Sequence, residues 1–138
     1  MPKHVNQADG SICPLCELKL KDAHEDLVAW FTKAVHPIHP DAHISWTYRG
    51  KDSQDQAYAE GRSKLKYPMS KHNKTNEDGM PEARAIDLFK LCINGLAAWD
   101  YKFFKTIADE IPAYEEGNPV IIWGGSWRFR DYPHFELV

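Results

Sequence analysis

The sequence of 138 residues has no apolar run approaching the roughly 18 residues needed to cross a bilayer, which excludes a membrane-spanning helix. Its first residues, MPKHVNQADGSICPLC, lack the apolar core of a secretory signal, so synthesis in a cytoplasm without a signal peptide is expected. Charge of one sign is scarce: 17 basic against 20 acidic residues leave a net charge of -3 and no electrostatic footprint for nucleic acid. Repeats and low-complexity tracts are missing, which excludes a solenoid. Cysteine falls to three, an odd number too small for a disulfide framework. What is present is an ordinary globular composition, 43% hydrophobic and 27% charged, at a length that suits one domain with a real core.

Of the cysteines only Cys13 and Cys16 are close in sequence. Cys-Pro-Leu-Cys is half of a zinc-ribbon knuckle, but no second CxxC or HxxxH follows, and the plainer reading is two small apolar residues near a terminus. Cys92, between Leu91 and Ile93, reads as core.

The first residues show no clear period, so residues 1–21 are expected to form a loosely attached arm and residues 22–138 the folded domain. Leu27, Trp30, Phe31 and Ala34 recur at helical spacing, which predicts a helix over 22–35 with Asp22 as its cap. HISWTY predicts a strand ending near Arg49 and Gly50, and a short helix follows over 53–64. Residues 67–81 are polar and turn-rich, as expected of a surface loop. ARAIDLF alternates as a strand with Ala83, Ala85, Asp87 and Phe89 on one face. A helix is expected over 96–111 through Trp99, Phe103, Phe104 and Ile107, then strands over 119–123 and from His134. The sum is an α+β domain, a small, mostly antiparallel sheet with helices packed on one face.

Three metal-ligand types stand at structurally sensible places: His72 in the loop, Asp87 on the expected inward face of the strand after it, and His134 opening the last strand. Two imidazoles, a carboxylate and a corner left for water make the pattern of a catalytic zinc site. Asp131 precedes His134 by three residues across Tyr-Pro, where its carboxylate can lie beside the metal as a general base without binding it. With seven histidines and 20 acids in the chain, spacing alone is weak evidence, and DxxH is more often surface chemistry. Glu136 shares a strand face with His134 and can orient its ring. His36, His39 and His43 read as surface or turn residues, and His4 and His24 have no evident partners. Trp123 and Trp127 read as core or cleft wall.

The order of these motifs resembles the VanY-type (LAS superfamily) zinc peptidases of bacterial cell walls. That family shows a Tyr-Arg, a Gln and Gly-Arg stretch, SxHxxGxAxD, and a glycine-tryptophan segment ending in D/ExxHFE. Here stand Tyr48-Arg49, Gln56, Gly61-Arg62, Ser70-Lys71-His72, Ala85-Ile86-Asp87, Trp123 to Trp127, and Asp131-Tyr132-Pro133-His134-Phe135-Glu136. The stretch between His72 and Asp87 is longer than the family's usual spacing, an insertion a hydrophilic surface loop absorbs at small closure cost. The resemblance implies a hedgehog/D-Ala-D-Ala peptidase-like fold, Zn2+ held by His72, Asp87 and His134, and Asp131 as base. It also implies Arg49 as stabiliser of the oxyanion, and Arg62 and Ser70 as substrate-binding residues. For Arg62 a solvated helix residue, and for Ser70 a loop cap, are the alternative readings.

The implied partner is the peptidoglycan stem peptide. The implied setting is a phage or prophage endolysin, acting as a monomer on the wall after release from the host cytoplasm. L-alanyl-D-glutamate endopeptidase is the first expectation. D-Ala-D-Ala carboxypeptidase and a non-catalytic zinc-containing wall-peptide binder are the alternatives.

Overall fold

A computed structural model describes residues 3–111 and 120–138. The chain runs α1 (Pro14–Leu20), α2 (Glu25–Trp30), β1 (Ala42–Trp46), α3 (Lys51–Ala59), β2 (Ala85–Leu91), β3 (Ala97–Ala98), α4 (Tyr101–Asp109), β4 (Ile121–Trp123) and β5 (His134–Leu137). Every strand pairing is antiparallel, in the order β1-β2-β5-β4, with β3 added to the far end of β2. This is the expected α+β arrangement.

Alternation divides the sheet into two working faces. Ile44, Ile86, Leu88, Phe135 and Leu137 are buried against Leu27, Trp30, Phe31, Phe104 and Ile107 from the helices. At about 25 cal/mol per Å² of apolar surface removed from water, these side chains supply the main driving force for the fold. The opposite face of the same strands carries His43 on β1, Asp87 and Phe89 on β2, and His134 and Glu136 on β5. In β1 the register shifts between Ile44 and Trp46. An irregularity of this kind re-aims side chains, and both Ser45 and Trp46 reach the cleft described below.

Several local expectations are corrected. Residues 14–20 form a helix, and Cys13, Cys16 and Leu20 are buried in the core instead of hanging as a loose arm. Proline at the first helical position, where an amide proton would go unused, starts α1. The cap of α2 is His24, whose Nδ1 accepts from the Asp26 amide at 3.0 Å, and not Asp22. After Trp30 the helix widens into a π-turn over Phe31–Val35. His43 and His36 are both buried, His36 Nε2–H donating to the Gly10 carbonyl at 3.0 Å.

The helix expected from Leu96 begins at Tyr101, because Asp100 caps it by accepting from the Lys102 amide. Residues 92–96 instead make a turn in which Gly95 takes a φ of +83°, a conformation that favours glycine. This leaves Trp99 on the surface and Cys92 only partly buried. The start of the strand expected at Pro119 lies outside the described residues.

Candidate active site

His72, Asp87 and His134 arrive from three elements. His72 lies in a single 3-10 turn, Lys71–Asn73, closed by a capping box: the Ser70 hydroxyl accepts from the His72 amide and Asn73 Oδ1 accepts from the Ser70 amide at 3.1 Å. Asp87 and His134 face each other across the β2–β5 ladder. The residues between His72 and Asp87 fold on themselves, Thr75 bridging Pro81 and Gly79 turning with a φ of +77°. The longer stretch therefore closes locally, and Glu77 and Asp78 stay exposed, away from the cleft lining.

The three side chains present one atom each to a common point. His72 Nε2 lies 3.3 Å from Asp87 Oδ1 and 3.3 Å from His134 Nδ1, and His134 Nδ1 lies 3.0 Å from Asp87 Oδ1. A tetrahedral ion with bonds of about 2.0–2.1 Å would have donor-to-donor edges of about 3.3 Å, so the set fits a metal.

The remaining ring nitrogens fix the tautomers. His72 Nδ1–H donates to the Thr47 carbonyl at 2.7 Å, and His134 Nε2–H donates to Glu136 Oε1 at 2.8 Å. Each imidazole thus turns its other nitrogen inward, toward the common point. Lys71 holds Glu136 from the other side, with Nζ 3.3 Å from Oε2.

Burial opposes a charged carboxylate at Asp87, yet the adjacent His72 and His134 outweigh it and hold the carboxyl well below the usual range. Burial likewise pulls His134 down, but its hydrogen bonds to Asp87 and Glu136 prevail and lift its pKa to about 10. Asp131 stands beside the triad, Oδ2 3.8 Å from His134 Nδ1, with its side chain partly open to solvent. Burial and then the charge on Asp87 push its carboxyl up from the ordinary value.

The Trp123-to-Trp127 segment positions that acid. Gly124 gives its carbonyl to the amides of Asp131 and Trp127 and lies so close that a Cβ there would meet the Asp131 carbonyl oxygen at 2.6 Å. Only glycine fits.

Arg49 is 6% exposed, its guanidinium 5.0 Å from the centre of the Trp46 ring and NH2 3.5 Å from Asp87 Oδ2. Its Nε has no partner among the described residues. The residue that aims it was missed by sequence reasoning. Gln54, fully buried, accepts from Arg49 NH1 at 3.1 Å and donates to the Leu65 carbonyl at 2.6 Å. Gln56, the glutamine of the motif reading, is exposed and pairs with Glu60. Helical spacing from Ala57 was the available signal, since both face inward on α3.

These residues open into a cleft of about 690 Å³ with Trp99, Trp127 and Phe129 on its walls. Arg62 and Ser70 also line it. Arg62 is exposed and paired to Glu60 at 2.7 Å, and Ser70 is buried with its hydroxyl engaged in the cap.

Three side chains whose donor atoms fit a metal, lining an open cleft with an acid beside them and a buried arginine next to Asp87, make an arrangement suited to metal-assisted hydrolysis. A family model described as phage L-alanyl-D-glutamate peptidase matches residues 12–138, and the chain belongs to that family. It is a peptidoglycan peptidase. The crystal structure of Serratia marcescens L-Ala D-Glu endopeptidase ChiX is similar in fold, with a TM-score of 0.68 at 23% identity over 89% of this chain and 86% of that one. No curated protein matches the sequence. Among the described residues no helix is long and apolar enough to cross a membrane.

Proposed function

We propose that the chain is a zinc-dependent endopeptidase that cuts the L-Ala–D-Glu bond of the peptidoglycan stem peptide, in the manner of a phage endolysin. The observation that carries this reading is the convergence of His72 Nε2, Asp87 Oδ1 and His134 Nδ1 within 3.3 Å of one another, each histidine fixed through its other nitrogen. All three donors are the nitrogen and oxygen types that zinc accepts, and three protein ligands leave a corner for water. When bound, zinc supplies the acidity that brings such a water to a pKa of about 7.

The chain's own groups do the rest. Asp131, beside His134 but outside the donor triangle, takes the proton of the attacking water and delivers it to the departing amine, first base and then acid. Negative charge growing on the scissile carbonyl oxygen meets the Arg49 guanidinium, which is already stripped of water and held by Gln54, so little reorganisation is needed as the charge forms. Arg62, exposed and lining the cleft, would exchange its pairing with Glu60 for a carboxylate of the stem peptide, and the Ser70 hydroxyl, also in the lining, supports His72. Trp99 and Phe129, each about half exposed, give an apolar wall for the sugar-linked end of the substrate.

Incubation of the purified protein with defined muropeptides, with and without a chelator, tests the proposal by mass spectrometry of the products. Products ending at L-Ala that disappear with chelator are expected. Loss of only the terminal D-Ala would assign a carboxypeptidase instead, and no chelator-sensitive cleavage would refute the peptidase mechanism.

A further inference from the structure

At the other end of the same sheet face, a second group of donors converges. His4 from the N-terminal segment, Cys13 and Cys16 at the start of α1, and His43 on β1 bring their ligand atoms within 4.8 Å of one another. His43 pairs with Phe89 in the ladder, two residues along β2 from Asp87. The two sites are therefore separate.

Five of the six donor-to-donor distances lie close to the edges expected of a tetrahedral site. His4 Nδ1 and His43 Nδ1 are 3.2 Å apart. Cys13 Sγ lies 3.8 Å from His4 Nδ1 and 3.5 Å from His43 Nδ1, and Cys16 Sγ lies 3.6 Å and 3.5 Å from the same atoms. Zinc bonds of about 2.0–2.1 Å to nitrogen and about 2.3 Å to sulfur would set edges of about 3.3 Å between nitrogens and about 3.6 Å between nitrogen and sulfur.

Surrounding groups fix the donors as ligands. Asn6 Nδ2 donates to the Leu91 carbonyl at 3.0 Å, which turns its Oδ1 to accept from His43 Nε2–H at 2.7 Å. The His43 lone pair is thereby on Nδ1, facing the sulfurs. The Ile44 amide donates to Cys16 Sγ at 3.3 Å, the partner a thiolate needs when water is excluded. Two buried thiols acting as small apolar residues do not explain why two imidazole nitrogens turn toward them. A disulfide would engage the sulfurs and leave those nitrogens facing each other.

We propose that His4, Cys13, Cys16 and His43 bind a structural zinc ion, distinct from the metal of the active site. Four protein ligands leave no corner for water, which suits a stabilising and not a catalytic ion. Such an ion ties the N-terminal segment and α1 to β1. It also bears on the active site at one remove, because Thr47, just past β1, donates from Oγ1 to the Lys19 carbonyl of α1 at 2.6 Å and accepts from His72 through its own carbonyl. The pattern escaped sequence reading because the completing histidines lie nine residues before Cys13 and twenty-seven after Cys16.

The test is metal content together with cobalt spectroscopy on the full chain. About two zinc ions per chain are expected in the wild type and about one in His134→Ala, and the cobalt-loaded His134→Ala protein should keep a sulfur-to-cobalt charge-transfer band. Cys16→Ser should lose that band. Should Cys16→Ser fail to fold, thiol alkylation of the native wild type decides: Cys13 and Cys16 should resist the reagent until a chelator is added. About one zinc in the wild type with none in His134→Ala, or a Cys13–Cys16 disulfide by mass, would overturn the proposal.

Discussion

Glu136 Oε1 accepts the Nε2–H of His134 at 2.8 Å from two positions further along the same strand, so one element supplies both a donor atom of the triad and the group that aims it. Removing the carboxylate leaves the ring free to turn and less basic. Glu136→Ala is expected to fold and to lower zinc affinity at the active site by about 10- to 100-fold, read as the free zinc concentration that restores half of the activity in metal buffers. An unchanged midpoint would show that the hydrogen bond does not tune the ligand.

On the proposed ligand set, a proton competes with the metal for His134 Nδ1. Without metal that ring has a pKa of about 10, so at neutral pH the proton is held and zinc must expel it. Because the folded pKa is raised, competition is strongest at low pH and fades as pH climbs toward 10. The free zinc needed for half activity should fall about tenfold for each pH unit between 7 and 9, and a midpoint constant over that range would contradict the assignment.

Gly124→Ala should damage the acid more than the metal. The added methyl meets the Asp131 carbonyl oxygen at 2.6 Å and the Asp131 and His134 Cβ atoms at 3.2 Å, so the segment carrying Asp131 must shift. A stability loss of about 1–3 kcal/mol is expected by thermal or urea unfolding, with a drop in kcat that exceeds any change in KM.

Gln54→Ala removes the acceptor for Arg49 NH1 and for Asn73 Nδ2, and leaves both groups buried without it. A loss of about 1–3 kcal/mol in stability is expected, together with a fall in kcat/KM at unchanged zinc content. Arg49→Lys, which keeps a charge but not the forked donor, should lower kcat by about 10²–10³ if the guanidinium meets the developing charge. Retention of full activity by Arg49→Lys would remove it from that role.

Much of the scaffold was legible because it rests on periodicity. The alternation of ARAIDLF located β2 and put Asp87 on the face away from Ile86 and Leu88, and the helical spacing of Leu27, Trp30 and Phe31 located α2. The geometry also brings together His72, Asp87, His134 and Asp131, which separate motifs had singled out. What failed was set by tertiary contacts that leave little trace in one dimension. His43 looked like a turn residue until β1 was known to bury it, and Cys92 looked like core until the Gly95 turn left it only partly buried. Gln54 was passed over for Gln56 because a motif, and not the inward face of α3, guided the choice.

The central claim is that His134 binds the metal while Asp131 works beside it, so two acid–base groups three residues apart should fail in different ways. The measurement is zinc content and muropeptide turnover in Asp131→Ala and His134→Ala, compared with wild type. Asp131→Ala should keep the wild-type zinc content and lose about 10²- to 10⁴-fold in turnover, whereas His134→Ala should lose about one zinc per chain along with its activity. Full turnover in Asp131→Ala, or loss of the metal from it, would contradict the account.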